Sequence, residues 1–266
     1  MPFHLILPIF IFSIIVVNPA WADYQVSIDE GGGYIHIRSN GLPNHETGQF
    51  PNRGNPNAIS AQNHNYRVTQ NPVKNAEPKE HRGVIGVALN GVPFEPGTAE
   101  FWNNDRNYNY EAIDGSVNLG LDDNNAHVQP TGTYHYHGIP TPLVKNGFTH
   151  IGYAADGFKI YADAQNRYKS SYRLKSGQRS GGPGGKYDGS FTSDYEYVAD
   201  LSVLDECNGA TINGTYGYIA TESFPFLPRC LYGTPDESFE RKRGGRSGAR
   251  EGQRRPPPHH HRHHQR

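Results

Sequence analysis

The sequence has few sulfur-containing residues and no long apolar segment beyond its N-terminus. Its 266 residues include two Cys and one Met, and hydrophobic residues make up 35% of the chain, below the ~45–50% of typical domains. After residue 22 no stretch approaches the ~20 apolar residues of a membrane-spanning helix, so we expect no transmembrane segment after signal removal. The chain instead contains 17 Tyr, 31 Gly and 20 Pro. That composition favours a mainly β fold with long loops.

The first 22 residues have the pattern of a secretory signal peptide. Residues 5–17 are almost continuously apolar, and residues 20–22 read Ala-Trp-Ala, the small-x-small pattern that signal peptidase cleaves. We therefore predict a signal peptide over residues 1–22, a mature chain that begins at Asp23, and a secreted or periplasmic location. The n-region lacks Lys and Arg, which leaves an uncleaved N-terminal anchor as the alternative.

The two cysteines, Cys207 and Cys230, are predicted to form a disulfide. In an oxidising compartment an even number of cysteines usually indicates disulfide pairing. Closing a loop of this size would stabilise the fold by about 3 kcal/mol in the chain-entropy model. A metal site built on the pair is the alternative, but no Cys or His with suitable spacing lies nearby.

Charge separates the C-terminal end from the rest of the chain. Residues 240–266 carry a balance of +7, whereas the remaining residues carry −8. The end is also rich in Gly, Pro and His, so we predict a disordered tail over residues 236–266 that binds divalent metal weakly, as His-rich tracts do. The acidic body gives no indication of specific nucleic-acid recognition.

The middle of the chain contains an internal duplication. Similar segments occur in the same order twice: residues 85–94 and 151–160, residues 121–125 and 204–208, and the Gly-Thr-Tyr-x-Tyr segments 132–136 and 214–218. The Asn-Gly and Asp-Gly dipeptides within the first pair are typical of tight hairpins. We predict two repeats, at about 85–143 and 151–227, that pack into a single pseudo-symmetric β-rich domain, sandwich or barrel-like, over residues 23–235.

Residues 134–137 read Tyr-His-Tyr-His and are the strongest candidate for a functional site. In a strand, alternate side chains share a face, so His135 and His137 should lie on one face and the two tyrosines on the other. Two imidazoles on one face can converge on a metal ion. The second repeat keeps the tyrosines but has Gly217 and Ile219 in place of the histidines. The tyrosines are therefore interpreted as scaffold, with the alternative that the histidines are ordinary hydrogen-bonding residues.

Two further histidines are candidate ligands. His127 precedes the strand by a short loop bounded by Pro130 and could fold back as a third ligand, and His45 lies in an Asn- and Pro-rich loop as an outer candidate. Three neutral imidazoles with an open position would suit zinc or copper. For each of these two residues, a surface or capping histidine is the competing interpretation.

These motifs resemble the YHYH-domain family of exported, mostly bacterial proteins, and the resemblance covers roughly residues 36–234. It implies family membership but no settled activity. One departure matters: where family members often repeat the His-bearing motif, residues 216–219 read Tyr-Gly-Tyr-Ile, so a function that needs histidines from both copies is not expected. The matching segments are residues 40–45, 86–94, 125–130, 134–138 and 151–157.

The sequence thus predicts an exported metal-binding protein, with metal-assisted hydrolysis or copper chemistry as the reactions its residues would allow. No Ser/His/Asp or Cys/His nucleophile motif appears in the chain. The main alternative is a noncatalytic cell-surface module that binds glycan or peptide through Tyr- and Asn-rich loops. A purely structural envelope protein is the third.

Overall fold

A computed structural model describes residues 23–240. These residues form short 3-10 helices at Trp102–Asn104, Thr141–Leu143, Thr192–Asp194 and Glu237–Phe239. No helix in this part of the chain is long and apolar enough to cross a membrane. The strands are β1 (Val26–Gly31), β2 (Tyr34–Ser39), β3 (His64–Thr69), β4 (Lys79–Glu80), β5 (Gly86–Ala88), β6 (Pro93–Phe94), β7 (Ala126–Val128), β8 (Tyr134–Tyr136), β9 (Phe148–Ala154), β10 (Lys159–Asp163), β11 (Tyr172–Leu174), β12 (Tyr195–Tyr197), β13 (Gly209–Ile212), β14 (Thr215–Ala220) and β15 (Cys230–Leu231).

The largest sheet has eight strands, in the order β13-β14-β10-β9-β5-β6-β8-β7. The pairs β6–β8 and β10–β14 are parallel and all the others are antiparallel. The pattern therefore reads the same from either edge, with the β5–β9 pair at its centre. Both hairpins predicted from the Asn-Gly and Asp-Gly dipeptides are present, as β5–β6 and β9–β10. The glycines of these turns, Gly91 and Gly157, have φ values of 77° and 91°. Residues with a Cβ rarely adopt such positive values.

Matching contacts also occur where each half enters its Gly-Thr-Tyr-x-Tyr strand. The hydroxyl of Tyr134 donates to Asp122 Oδ2 at 2.7 Å, and the hydroxyl of Tyr216 donates to Asp205 Oδ2 at 2.8 Å. The internal duplication stays a prediction, and these paired contacts support it.

The three-stranded sheet β1-β2-β3 contributes its inner face to the same core. In the β2–β3 register Ile35 faces Val68 and Ile37 faces Tyr66, and all four are buried while their sequence neighbours are more exposed. This period-2 alternation is the reason that the segment forms strands with one face in the core. The predicted mainly β fold is confirmed.

The packed chain continues past the predicted boundary at residue 235. Phe239 is buried and stacks on Tyr66, with ring centroids 4.6 Å apart, and Arg67 donates to Asp236 at 2.9 Å. An aromatic anchor of this kind holds the segment against the core, which composition alone did not indicate. The predicted signal peptide and the rest of the predicted tail lie outside the described residues.

Cys207 and Cys230 lie at disulfide-bonding distance, with Cα atoms 5.1 Å apart. The pair connects the loop before β13 to strand β15, which in turn pairs with β4. The pair therefore joins one end of the eight-stranded sheet to β15, whose partner β4 comes from the N-terminal half of the sequence.

Candidate metal centre

The candidate site is built on the hairpin β7–β8 at one edge of the eight-stranded sheet. The two strands pair antiparallel, so that His127 stands directly opposite His135, while Ala126 faces Tyr136 and Val128 faces Tyr134. Directly opposed residues have neighbouring Cβ atoms on one face. His127 and His135 are therefore brought together by strand register alone.

His137 completes a triad on the same face, two residues beyond His135. The ring centroids of the three histidines are each 4.7 Å from the other two. Their candidate ligand nitrogens all lie within 4.8 Å of one another. Zinc–nitrogen bonds of about 2.0–2.1 Å would place the ligand atoms of a tetrahedral site about 3.3 Å apart, so modest ring rotations would bring the three nitrogens onto one ion.

Backbone carbonyls orient two of the three rings. His127 Nδ1 lies 2.9 Å from the Leu119 carbonyl oxygen, and His135 Nδ1 lies 3.3 Å from the Thr133 carbonyl oxygen. When Nδ1 carries the proton and donates to such a carbonyl, Nε2 is the atom that can bind a metal. This outer contact is the usual accompaniment of a metal-bound histidine, because it fixes both the tautomer and the ring orientation.

His137 is the most unusual of the three, because neither of its ring nitrogens makes a hydrogen bond in the described residues. Its side chain is only 1% exposed, and a buried polar atom without a partner costs about 1–3 kcal/mol. Such an atom in a folded protein calls for a specific reason, and an absent ligand is one such reason.

The pKa of His137 is held well below its ordinary value. Burial is the largest cause, since it disfavours the charged ring, and the neighbouring rings of His135 and His127 and the charge of Arg229 act in the same direction. The Pro96 carbonyl opposes the shift, although it does not meet the geometry of a hydrogen bond to either ring nitrogen. His137 is therefore neutral at physiological pH, the form in which an imidazole binds metal.

The opposite face of β8 holds the two tyrosines, as strand alternation predicts. Tyr134 and Tyr136 are fully buried, with ring centroids 5.7 Å apart. Tyr134 is bonded to Asp122 as described above, and the Tyr136 hydroxyl accepts a hydrogen bond from Asn90 Nδ2 at 2.9 Å. Both tyrosine rings therefore pack in the hydrophobic core, and their hydroxyls form hydrogen bonds with polar side chains there.

The structure does not bring His45 to the triad. His45 Nε2 lies 2.6 Å from the Tyr136 hydroxyl, on the face of the strand that points away from His135 and His137. Its ring also stacks with Tyr136, at a centroid distance of 6.0 Å. Among the residues that the structure describes, the cluster suited to a metal ion consists of His127, His135 and His137.

An open cleft of about 290 Å³ lies next to the segment that carries His137. Asn125 and Ile139 line it, and the Asn125 carbonyl accepts the His137 backbone N–H at 2.7 Å. Its other walls are largely apolar, with Asp163 and Glu222 among the polar groups. The cleft thus borders the chain on either side of the triad's hairpin, but the three histidines are not among the residues that line it.

Sequence reasoning missed the groups that surround the triad. The Leu119 and Thr133 carbonyls carry no side-chain signal and could not be found in the sequence. Glu95 and Gln129 carry a side-chain signal, since they are polar residues that directly follow strands β6 and β7, and the structure joins them by a hydrogen bond of 2.5 Å.

Comparison with known proteins agrees with the motif. The profile of the family described as YHYH protein matches residues 65–233 of this chain. The chain therefore belongs to the YHYH protein family. No curated protein and no solved structure matches it.

Proposed function

We propose that this protein is an exported metal-binding protein whose ion is held by His127, His135 and His137. The observation that carries the proposal is the state of His137, a buried ring that contacts two other imidazoles and whose two nitrogens have no hydrogen-bond partner within residues 23–240. Without an ion this arrangement is costly, because polar atoms are buried without partners. A metal ion would give the ring its missing partner.

The donor set suits a borderline divalent ion. Three imidazoles from one hairpin match the three-protein-ligand pattern of open zinc sites, and imidazole is equally a ligand for copper. Zinc in such a site would supply an activated water for hydrolysis, and copper would supply redox or carrier chemistry. The chain's own contribution is to hold three imidazole rings together, two of them with backbone carbonyls at Nδ1.

Export is supported by two features of the chain. The apolar N-terminus has the pattern of a cleaved signal, and Cys207 and Cys230 lie at disulfide distance, which is typical of oxidising compartments. The alternative of a module that binds glycan or peptide stays a prediction.

Metal analysis of the full chain tests the proposal. The C-terminal histidines would bind metal on their own, so they are first replaced by serine, at positions His259, His260, His261, His263 and His264. After incubation with zinc or copper and gel filtration, we expect one equivalent of ion per chain. The His135→Ala/His137→Ala double variant should hold none while its circular dichroism spectrum is unchanged.

Two other histidines provide a matched control. His81 and His150 are also partly buried, and each has a ring nitrogen on a backbone carbonyl at 2.9 Å. The His81→Ala/His150→Ala variant should keep one equivalent of ion. Absence of bound ion in the parent protein, together with an unchanged melting temperature on adding zinc or copper, would refute the proposed function.

A further inference from the structure

Glu95 is a buried carboxylate at the strand that neighbours the triad. Glu95 is only 6% exposed, and acidic residues are almost never fully buried without a specific partner. It follows Phe94 directly at the end of β6, the strand that pairs in parallel with β8. The Glu95 N–H donates to the Tyr136 carbonyl at 2.9 Å, so the backbone of Glu95 lies beside the backbone of the metal-site strand.

Strand alternation places the Glu95 side chain on the histidine side of the sheet. The Phe94 and Tyr136 rings lie on one face, with centroids 5.7 Å apart. Successive side chains of a strand point to opposite faces, so the side chain after Phe94 points to the face of His135 and His137. The hydrogen bond from the Glu95 N–H to the Tyr136 carbonyl also places the start of this segment beside His137, the residue that follows Tyr136.

Gln129 holds the carboxylate from the other edge of the site. Gln129 Nε2 donates to Glu95 Oε2 at 2.5 Å. Gln129 follows β7 and lies two residues after His127, so it belongs by alternation to the same face as the triad. Because β8 lies between β6 and β7, this hydrogen bond must cross the strand that carries His135 and His137.

The charge of a divalent ion explains why a carboxylate on the face of the triad matters. Three neutral imidazoles leave the full charge of a divalent ion uncompensated in a buried site, and burying an uncompensated charge is unfavourable. A carboxylate on the same face offsets that charge. Glu95 is outside the group of atoms that could contact one ion directly, so its place is in the layer of groups around the ligands, which typically affects metal affinity about 10–100-fold.

We propose that Glu95, held by Gln129, is the carboxylate that compensates the ion's charge in this metal site and thereby sets its affinity for divalent ions. This inference rests on the proposed function. Glu95 compensates the ion's charge, and Gln129 holds Glu95 in place. The three imidazole ligands of the triad cannot fill either role.

Zinc affinity of the full chain, with the C-terminal histidines replaced as above, tests the inference. Competition with a chromophoric zinc indicator at fixed pH gives Kd for the parent protein and for Glu95→Gln, which keeps the shape of the side chain and removes its charge. We expect Glu95→Gln to bind zinc about 10–100-fold more weakly. Glu95→Asp restores the charge and should recover part of the loss, which a purely structural role would not predict.

Asp156→Asn is the matched control. Asp156 is also a buried carboxylate, only 1% exposed and bonded to Tyr218 at 2.6 Å, but it lies in the β9–β10 turn of the other half of the sheet. Asp156→Asn should leave the zinc Kd unchanged within about twofold, even where it lowers stability. The melting temperature of each variant without zinc separates loss of folding from loss of binding. If Glu95→Gln does not fold, Gln129→Leu replaces it and should weaken zinc binding in the same direction.

The outcomes distinguish this inference from the proposed function. A parent protein that does not bind zinc or copper refutes the metal site itself. A parent protein that binds zinc, with Glu95→Gln equal to it within twofold, refutes the role of Glu95 and leaves the triad in place. Equal weakening by Glu95→Gln and Asp156→Asn also refutes it, because the effect would then follow from any buried charge.

Discussion

His127 and His135 face each other across the antiparallel pair β7–β8, with ring centroids 4.7 Å apart. This pairing converts two residues that are separated by a turn into neighbours on one face, and His137 joins them from the same strand. In β14, the strand that the predicted repeat matches to β8, Gly217 and Ile219 stand where the histidines would be. The proposed metal site therefore belongs to one half of a sheet whose two halves share their strand arrangement.

Replacing His137 by an apolar residue should not destabilise the metal-free protein. His137→Leu removes two buried nitrogens that have no hydrogen bond in the part of the chain that the structure describes. Burying a polar atom without a partner costs about 1–3 kcal/mol, and the variant removes that cost. We expect the free energy of unfolding in urea, measured with a chelator present, to be unchanged or higher by about 1 kcal/mol. The same variant should lose all stabilisation by added zinc. A clear loss of stability in the chelated protein would show that the ring makes favourable contacts of its own.

The two tyrosine–aspartate contacts should behave alike. Tyr134→Phe and Tyr216→Phe each remove a hydroxyl that donates to a carboxylate, and hydrogen bonds to charged groups contribute about 1.5–3 kcal/mol. Each variant should lower the free energy of unfolding by about that amount, and the double variant should be close to additive. A loss confined to one tyrosine would contradict the equivalence of the two halves.

Removing the cysteine pair should weaken the fold. Cys207→Ser/Cys230→Ser deletes a link that closes a loop with a sequence separation of 23, for which the chain-entropy model gives about 3 kcal/mol. Urea unfolding of this variant and of the parent protein measures the difference. A reducing agent should lower the stability of the parent protein and leave the stability of the variant unchanged. Equal stability of the two proteins would contradict a structural disulfide.

Acidification should destabilise the protein through His150. Burial lowers the pKa of His150 from 6.5 to about 4, and the Lys159 charge contributes in the same direction. In the unfolded chain this ring takes up a proton near pH 6.5, whereas the folded protein resists protonation until about pH 4. The unfolded state therefore binds more protons within this window, and stability falls as pH decreases from 6.5 to 4.

The contribution of His150 can be isolated with His150→Asn. The variant should show a shallower loss of unfolding free energy between pH 6.5 and 4 than the parent protein, because asparagine does not titrate. The remaining slope comes from the partly buried His64 and the buried His137, whose pKa values are also lowered. A variant with the same slope as the parent would contradict the assignment.

Local strand geometry explains which parts of the site could be predicted from the sequence. The separation of histidine and tyrosine faces follows from the alternation of side chains in one strand, and His127 follows from the short loop before that strand. His45 could not be placed in this way, because its contact with Tyr136 joins residues 91 positions apart. Only the tertiary structure brings its loop against the face of β8 that carries the tyrosines.

The position of Glu95 could not be predicted from local sequence either. Its position beside strand β8 depends on the parallel pairing of β6 with β8, two strands that are far apart in the sequence. No local pattern fixes such a pairing. The mainly β fold was predictable from composition, since Tyr, Gly and Pro are abundant, whereas the extension of the packed chain to Phe239 depends on a contact with Tyr66 that the basic composition of the tail conceals.

The most direct test of the central claim is anomalous diffraction from crystals of the full chain soaked in zinc chloride. The account predicts one strong anomalous peak among His127, His135 and His137, about 2.0–2.1 Å from one nitrogen of each ring. A peak elsewhere in the fold, or zinc confined to the C-terminal histidines with the triad empty, would contradict it.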